Sequence, residues 1–261
     1  MRRLLAILLL SASPLWAANW WFKSDRGAVL HVYCAGGAIS TGPTYVQIVA
    51  SVGTPAVKVD AAGNAPSLRF GDTNSYITIA RKAELNFGTA TPYTLSFWVK
   101  HQTPGTGAAQ RYLCSGNIAS DPFIGTQYAT ASTQLQITTA PVGAATSCTG
   151  LVTTNIVDNL WHHLVMIDHR DTLCLASNYE IWIDGVSQTL SLGTATSLPG
   201  ISLNAADVWA FGARKNTTYA QFFYGNADEM MIEPWIVPGS EIIRRYQAGA
   251  QTHSPHGGFA K

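Results

Sequence analysis

The chain has 261 residues, of which 12% are charged and 47% are hydrophobic, and its formal net charge is +1 at pH 7. A nearly neutral chain with no basic stripe lacks the electrostatic means to hold nucleic acid or an anionic membrane surface, which excludes both as partners. The hydrophobic fraction is large enough to fill a core, which excludes an intrinsically disordered protein.

Residues 1–18 have the pattern of a secretory signal peptide. Arg2 and Arg3 provide a positive start, residues 4–10 are apolar, and most residues from there to Ala18 are small. The apolar run is too short to span a bilayer, so we expect a removable signal and no integral membrane segment after its removal. The predicted location is therefore secreted, periplasmic or at the cell surface. A buried N-terminal segment or an uncleaved anchor is the alternative.

Short β-rich runs separated by turn residues follow in chain order. The clearest runs are 29–33, 45–50, 76–80, 93–100, 135–139, 163–168, 179–184, 208–213 and 227–232. In the fourth run Leu95, Phe97 and Val99 alternate with a second set of side chains, a period typical of an antiparallel strand with two different faces. Asp184 and Gly185 predict a tight hairpin turn. Many short strands joined in this way predict an all-β, two-sheet antiparallel sandwich.

One helix is predicted, near the end of the chain. Ser240 can cap its first turn, and Gly249 is expected to end it. Residues 251–261 are polar and rich in glycine and histidine, so they are expected to form a flexible tail.

The sequence contains four cysteines, Cys34, Cys114, Cys148 and Cys174. An even number in an exported protein favours two disulfides, and the sequence leaves all three pairings open. Free buried thiols are the alternative for a cytosolic protein.

Five segments stand in an order typical of one family. They are LRFGD and SYITI within 68–79, YTLSFWVK at 93–100, WHHL and YEIWIDG within 161–185, FGA and GNADEMMI within 211–232, and SEIIRRY at 240–246. This order resembles the laminin-G-like, pentraxin-related branch of the concanavalin A-like jelly rolls. The resemblance covers residues 55–250 and implies a two-sheet jelly-roll sandwich with a short C-terminal helix. Residues 19–54 fit it poorly and are expected to form a first strand and an irregular segment.

Some members of this superfamily hydrolyse glycans with carboxylates on one strand face. Here Glu229 and Glu233 would lie on one face of a regular strand, about 13 Å apart. That exceeds the roughly 5–9.5 Å that glycosidases need between their carboxyl groups. No catalytic residue is therefore predicted, and a glycoside hydrolase is the third candidate function. The adjacent His162 and His163 would face opposite ways, which indicates a framework role.

The resemblance also implies a calcium site at the rim of the sandwich, because many relatives hold this ion with loop oxygens. Asp121 is the only acid in the first relevant loop, and Arg214-Lys215-Asn216 stands where a second acidic cluster is expected. Two cations there would repel calcium, so a two-ion site is not expected. A single ion held by Asp121 and Asn216 is the candidate; the alternative is that Asp121 only shapes a proline-containing turn.

Aromatic side chains in loops and edge segments are the candidate ligand surface, because sugar rings stack on flat apolar faces. The predicted residues are Tyr128, Tyr219, Phe222, Phe223 and Tyr224. Trp98, in contrast, is expected to pack beneath a covering element.

The sequence therefore predicts a non-catalytic, lectin-like module that binds carbohydrate, such as a surface glycan, or a protein partner. The alternative is a structural or decoration subunit of a virion or a cell-surface assembly. Trp20, Trp21 and Phe22 would be the docking residues for that self-assembly.

Overall fold

The computed structural model describes residues 30–35, 38–41, 48–52, 58–60, 67–71, 75–79, 91–102, 110–115, 123–129, 134–140, 148–169, 176–192, 209–215 and 219–253. Its first strands are β1 (Leu30–Ala35), β2 (Ala38–Thr41), β3 (Ile48–Val52), β4 (Lys58–Asp60), β5 (Ser67–Phe70), β6 (Tyr76–Ile79), β7 (Tyr93–His101), β8 (Gln110–Ser115), β9 (Phe123–Ala129) and β10 (Gln134–Ala140). The later strands are β11 (Cys148–Val152), β12 (Trp161–Asp168), β13 (Tyr179–Ile183), β14 (Val186–Gln188), β15 (Ser191–Leu192), β16 (Trp209–Phe211), β17 (Arg214–Lys215), β18 (Tyr219–Ala220) and β19 (Gly225–Glu233). A 3-10 turn spans Ala176–Asn178, and helix α1 spans Gly239–His253.

The strands form two large sheets and a small ribbon. The first sheet has the order β14-β13-β12-β7-β19-β1-β2, with β5 also paired to β19 and β4 paired to β5. The second sheet has the order β15-β11-β10-β9-β8-β16-β6-β3, and β17 pairs with β18. Every pairing among the described strands is antiparallel. This confirms the predicted all-β, two-sheet sandwich with a C-terminal helix.

The alternation along β7 explains how the layers assemble. Leu95, Phe97 and Val99 belong to the main core with Trp209 and Phe211 of the second sheet. The opposite face of the first sheet is covered by α1 and by the segment that precedes it. There a smaller cluster of Val165, Ile167, Val237 and Ile242 packs with two partly buried tryptophans. β7 and β12, at the centre of the first sheet, are therefore covered on both faces.

The hairpin between β13 and β14 forms as its sequence predicts. Asp184 has φ 53° and Gly185 has φ 74°. Positive φ at both central residues is the geometry of a type I′ turn, which matches the twist of the strands that it joins.

The predicted end of the helix is wrong. α1 continues through Gly249 to His253, so residues 251–253 belong to the helix rather than to a flexible tail. Gly249 stands there because a Cβ atom would come 2.5 Å from Cζ2 of Trp98. Close approach of the helix to the indole, and not helix termination, requires this glycine. Residues 254–261 lie outside the described part of the chain.

Sheet order removes one of the three disulfide pairings. Cys114 lies on β8 and Cys148 on β11, with β9 and β10 between them. Three strand spacings separate them by roughly 14 Å, twice the span that a disulfide bridges. If two intrachain disulfides form, Cys34 therefore pairs with one of these two and Cys174 with the other. Cys174 lies outside the described residues, so disulfide formation itself stays a prediction.

Candidate functional site

Three connections cross between the sheets at the same end of the sandwich. They join β7 to β8, β11 to β12, and β16 to β19. Their strand ends meet there, because His101 pairs with Gly225 and the neighbouring Lys100 pairs with Trp161. We call this end the crossover rim. It contains most of the aromatic residues that the sequence marks as ligand candidates.

Phe223 is a core residue, and its assignment to the ligand surface is wrong. Its side chain is 0% exposed. The ring makes edge contacts with Tyr112 at a centroid distance of 5.2 Å and with Phe211 at 6.3 Å. It also contacts Phe70 at 5.5 Å. A ligand on the surface cannot reach a ring that closes the end of the main core.

The two neighbours of Phe223 lie at the surface of the rim. Phe222 is partly exposed and stacks on Tyr76, with ring centroids 6.1 Å apart and an interplanar angle of 27°. Tyr224 is also partly exposed. Its backbone N–H donates to Oε1 of Gln110 at 2.7 Å, and its carbonyl accepts from the N–H of Gln102 at 3.0 Å. The backbone around these two rings is therefore fixed.

Polar groups are held beside this aromatic pair by Gln221. Its backbone has φ 56°, and its carbonyl accepts the N–H of Arg111 at 2.9 Å. Its side-chain Oε1 accepts from Nε of Arg111 at 3.1 Å and from Nη1 of Arg214 at 3.3 Å. A non-glycine residue in the left-handed region is uncommon, and here three hydrogen bonds hold it. We call Tyr76, Arg214, Gln221, Phe222 and Tyr224 the rim site.

The other candidate residues are only partly placed. Tyr128 lies on β9, where its backbone pairs with Gln110 on one side and Leu135 on the other. Tyr219 lies on β18 opposite Lys215. Of these two residues only the backbone is described. The candidate metal ligands Asp121 and Asn216 and the docking residues Trp20, Trp21 and Phe22 lie outside the described residues, so calcium binding and self-assembly stay predictions.

A second polar cluster lies under the end of α1. His253 stacks on Trp98 at a centroid distance of 4.4 Å, and its Nε2 lies 3.4 Å from Oδ2 of Asp228. The register between β19 and β7 shifts between Asp228 and Met231, and Glu229 within this bulge has φ 51°. The N–H of Glu229 donates to Oδ1 of Asp228 at 2.8 Å. The bulge also invalidates the regular-strand spacing that the sequence suggests for Glu229 and Glu233.

Burial governs the electrostatics of this cluster. It raises the pKa of Glu229 to about 8, although the nearby His253 acts in the opposite direction. Burial opposes protonation of His253, but Asp228 and Glu229 more than offset it and raise its pKa. The fully buried His163 has its pKa lowered to about 3 by burial and by the Arg245 charge. These groups are buried beneath α1, and a ligand at the protein surface does not reach them.

Glu229→Gln is expected to flatten the dependence of stability on pH. Since the folded-state pKa is raised from 4.5 to about 8, the contribution of Glu229 is complete below pH 4.5 and is lost as the pH rises to about 8. At pH 8.5 the variant should therefore exceed the wild type in unfolding free energy, and this advantage should shrink as the pH is lowered to 4.5. Urea unfolding at pH 4.5, 6.5 and 8.5 measures this. A slope in Glu229→Gln equal to that of the wild type would contradict the assignment.

His162 and His163 point to opposite faces of β12, and both contribute to the framework of the fold. Nδ1 of His162 lies 2.7 Å from Oδ2 of Asp184, and its Nε2 lies 3.0 Å from Oδ1 of Asp158. Burial alone would lower the pKa of His162, but the two aspartates more than offset this and raise it. His162 thereby ties the connection before β12 to the β13–β14 turn. His163 packs against Trp98 on the other face, at a centroid distance of 5.1 Å.

No group of three or more His, Cys, Asp and Glu side chains within the described ranges is arranged to hold a metal ion. In the same part of the chain, no helix has both the length and the apolar character needed to cross a membrane.

The two antiparallel sheets and the closing helix define a lectin-type β-sandwich. A laminin G-type family model, described as the concanavalin A-like lectin/glucanases superfamily, matches residues 71–242. The chain belongs to that superfamily, which confirms the resemblance of its motifs. Among curated proteins, none matches the sequence.

Solved structures with this fold include several binding domains. The binding domain of Paraclostridial Mosquitocidal Protein 1 aligns with a TM-score of 0.63 and 14% identity, over 85% of this chain and 52% of that one. The ligand-binding domain of botulinum neurotoxin serotype D, solved with N-acetylneuraminic acid, aligns with a TM-score of 0.58 and 11% identity. The alignment covers 85% of this chain and 51% of that one. Domain 4 of AbnA, an extracellular arabinanase from Geobacillus stearothermophilus, was solved with arabinotriose and aligns with a TM-score of 0.58 and 16% identity. The alignment covers 85% of this chain and 98% of that one. The chain thus spans about half of the toxin domains and nearly all of the arabinanase domain. At these identities the likeness shows the fold alone.

Proposed function

We propose that this protein is an exported, non-catalytic, lectin-like module that binds glycan at the rim site. The observation that carries the proposal is the partly exposed Phe222, stacked on Tyr76 beside guanidinium donors that Gln221 fixes in place. A flat apolar face with a few oriented polar groups is the surface to which a sugar ring binds.

The solved relatives support the proposal at the level of the scaffold. The arabinanase domain, which this chain covers almost completely, was solved with arabinotriose, and the toxin domain, which it covers by about half, was solved with a sialic acid. A fold does not specify a ligand, so the residues of the rim site must determine what this protein binds. We propose no catalytic step, because the carboxylates of β19 are covered by α1.

Phe222→Ala is expected to weaken glycan binding by about tenfold, equivalent to roughly 1.4 kcal/mol, because it removes the stacking face. The measurement is a glycan array probed with the mature protein, followed by titration of the best ligand. Parallel arms with calcium and with a chelator test whether Asp121 and Asn216 hold an ion that binding requires.

Ile236→Ala is the matched control. Ile236 is 40% exposed, and it follows β19 whereas Phe222 precedes it, so the whole strand separates the two positions. The control should bind as the wild type does. The proposal fails if the wild-type protein binds no glycan in either arm, or if Phe222→Ala binds as tightly as Ile236→Ala.

A further inference from the structure

Arg214 of the rim site differs from Arg244 and Arg245 of α1 in the group that its guanidinium contacts. Arg244 donates to both carboxylate oxygens of Glu241 at 2.7 and 2.6 Å. Arg245 donates to both oxygens of Glu233 at 2.7 and 2.9 Å. Arg214 donates instead to a neutral amide oxygen, that of Gln221, at 3.3 Å.

We infer that the rim site recognises an acidic glycan, one that carries a carboxylate or sulfate group. The inference rests on the proposed function and specifies its ligand class. Nε of Arg214 is buried and has no hydrogen-bond partner among the described residues. A neutral amide satisfies one N–H but supplies no negative charge, and a guanidinium forms its strongest hydrogen bonds with a planar or tetrahedral oxyanion.

The site is organised before a ligand arrives. Arg111, which is 4% exposed, donates from Nε to the same Gln221 oxygen that Arg214 contacts. Both guanidinium groups therefore donate to one amide oxygen. Gln221 itself occupies the left-handed region, a conformation that glycine would adopt with less strain. The side chain of Gln221, whose backbone is strained, thus positions the guanidinium groups of Arg111 and Arg214.

The aromatic face and the guanidinium are close enough to serve one sugar. Arg214 pairs with Ala220 across the β17–β18 ribbon, and Phe222 follows Ala220 by two residues. Phe222 and Arg214 are both partly exposed. A sugar ring that stacks on Phe222 can therefore direct an acidic substituent towards Arg214. Neutral sugars would lack this contact between opposite charges.

The test uses matched glycans that differ only in charge. An array printed with neutral oligosaccharides and with their sialylated, uronate-bearing and sulfated counterparts is probed with the full mature protein, and the best members are titrated by calorimetry. The wild type should bind the acidic member of a set about tenfold or more tightly than the neutral one, and raising the salt concentration should reduce that preference. The carboxylated and sulfated arms identify which oxyanion the site takes.

Two variants attribute the preference to the site. Arg214→Gln removes the charge, and Gln221→Glu supplies an internal carboxylate of the same shape; in each variant the ratio of acidic to neutral glycan affinity should fall to about one. Gln221→Glu retains the acceptor oxygens, so its melting temperature should equal or exceed that of the wild type. Arg244→Gln, which removes an exposed arginine of α1, is the control and should retain the preference.

The outcomes separate this inference from the proposed function. Equal binding of neutral and acidic glycans, or an acidic preference that survives in both rim variants, overturns the inference and leaves glycan binding intact. Absence of binding to every glycan overturns both. Loss of the preference in Arg244→Gln as well would show a general charge effect and would overturn the assignment to Arg214.

Discussion

Arg245→Met is expected to lower the free energy of unfolding by about 3–5 kcal/mol. Arg245 donates from both terminal nitrogens to Glu233, whose side chain is 0% exposed, and from Nε to Glu241 at 2.9 Å. Removing the guanidinium leaves the Glu233 carboxylate buried without its charged partner. The larger part of the loss comes from that isolated charge rather than from the broken hydrogen bonds.

Urea unfolding of a double-mutant cycle measures this effect. Arg245→Met combined with Glu233→Leu removes both charges and should recover most of the loss, because a buried ion pair is often nearly neutral against an apolar pair of similar size. Arg244→Met, on the exposed side of the same helix, should change stability by less than about 1 kcal/mol. Equal losses in Arg244→Met and Arg245→Met would refute the role of burial, as would additive single losses in the double variant.

Local patterns in the sequence were sufficient for much of the sandwich. The period-two alternation of residues 93–100 predicts β7 with its two faces, and Asp184-Gly185 predicts the β13–β14 turn. These features depend on neighbours within a few residues. The β-rich runs at 163–168 and 227–232 likewise lie within β12 and β19.

Features that depend on distant contacts could not be predicted. β9, with the sequence FIGTQYA, and β11, with CTGLV, are rich in small residues, and their pairing within the second sheet supplies the structure that propensity does not. The bulge at Glu229 has no local signal in the sequence. Gly249 resembles a helix stop, but its contact with Trp98, 151 positions earlier in the sequence, determines its role.

The rim site shows the same division. The sequence marks Phe222 and Tyr224 as loop aromatics, but it gives no such signal for Tyr76, which begins β6. The polar half could not be identified from the sequence, because Arg111 is 110 residues from Gln221 and nothing local connects them. Arg214 was expected only to repel calcium, and its contact with Gln221 gives it a different significance.

Phe223→Ala should separate core packing from ligand contact within one short segment. Phe222, Phe223 and Tyr224 are alike in sequence, yet only the middle ring is in the core, in edge contact with His101 and Tyr112. Truncating it leaves a cavity at the end of the core, so the unfolding free energy should fall by about 3–5 kcal/mol. Phe222→Ala, whose ring is partly exposed, should lose less than about 1.5 kcal/mol.

Thermal and urea unfolding measure the stability of each variant, and glycan titration measures its affinity. The two losses are then compared for each position. Phe222→Ala should affect binding more than stability, whereas Phe223→Leu, which keeps most of the buried volume, should recover at least half of the stability that Phe223→Ala loses. At a temperature where both remain folded, Phe223→Leu should bind glycan nearly as well as the wild type. A Phe223→Leu variant that is fully stable but does not bind would place Phe223 in the ligand surface after all, and would require the end of the core to open when glycan binds.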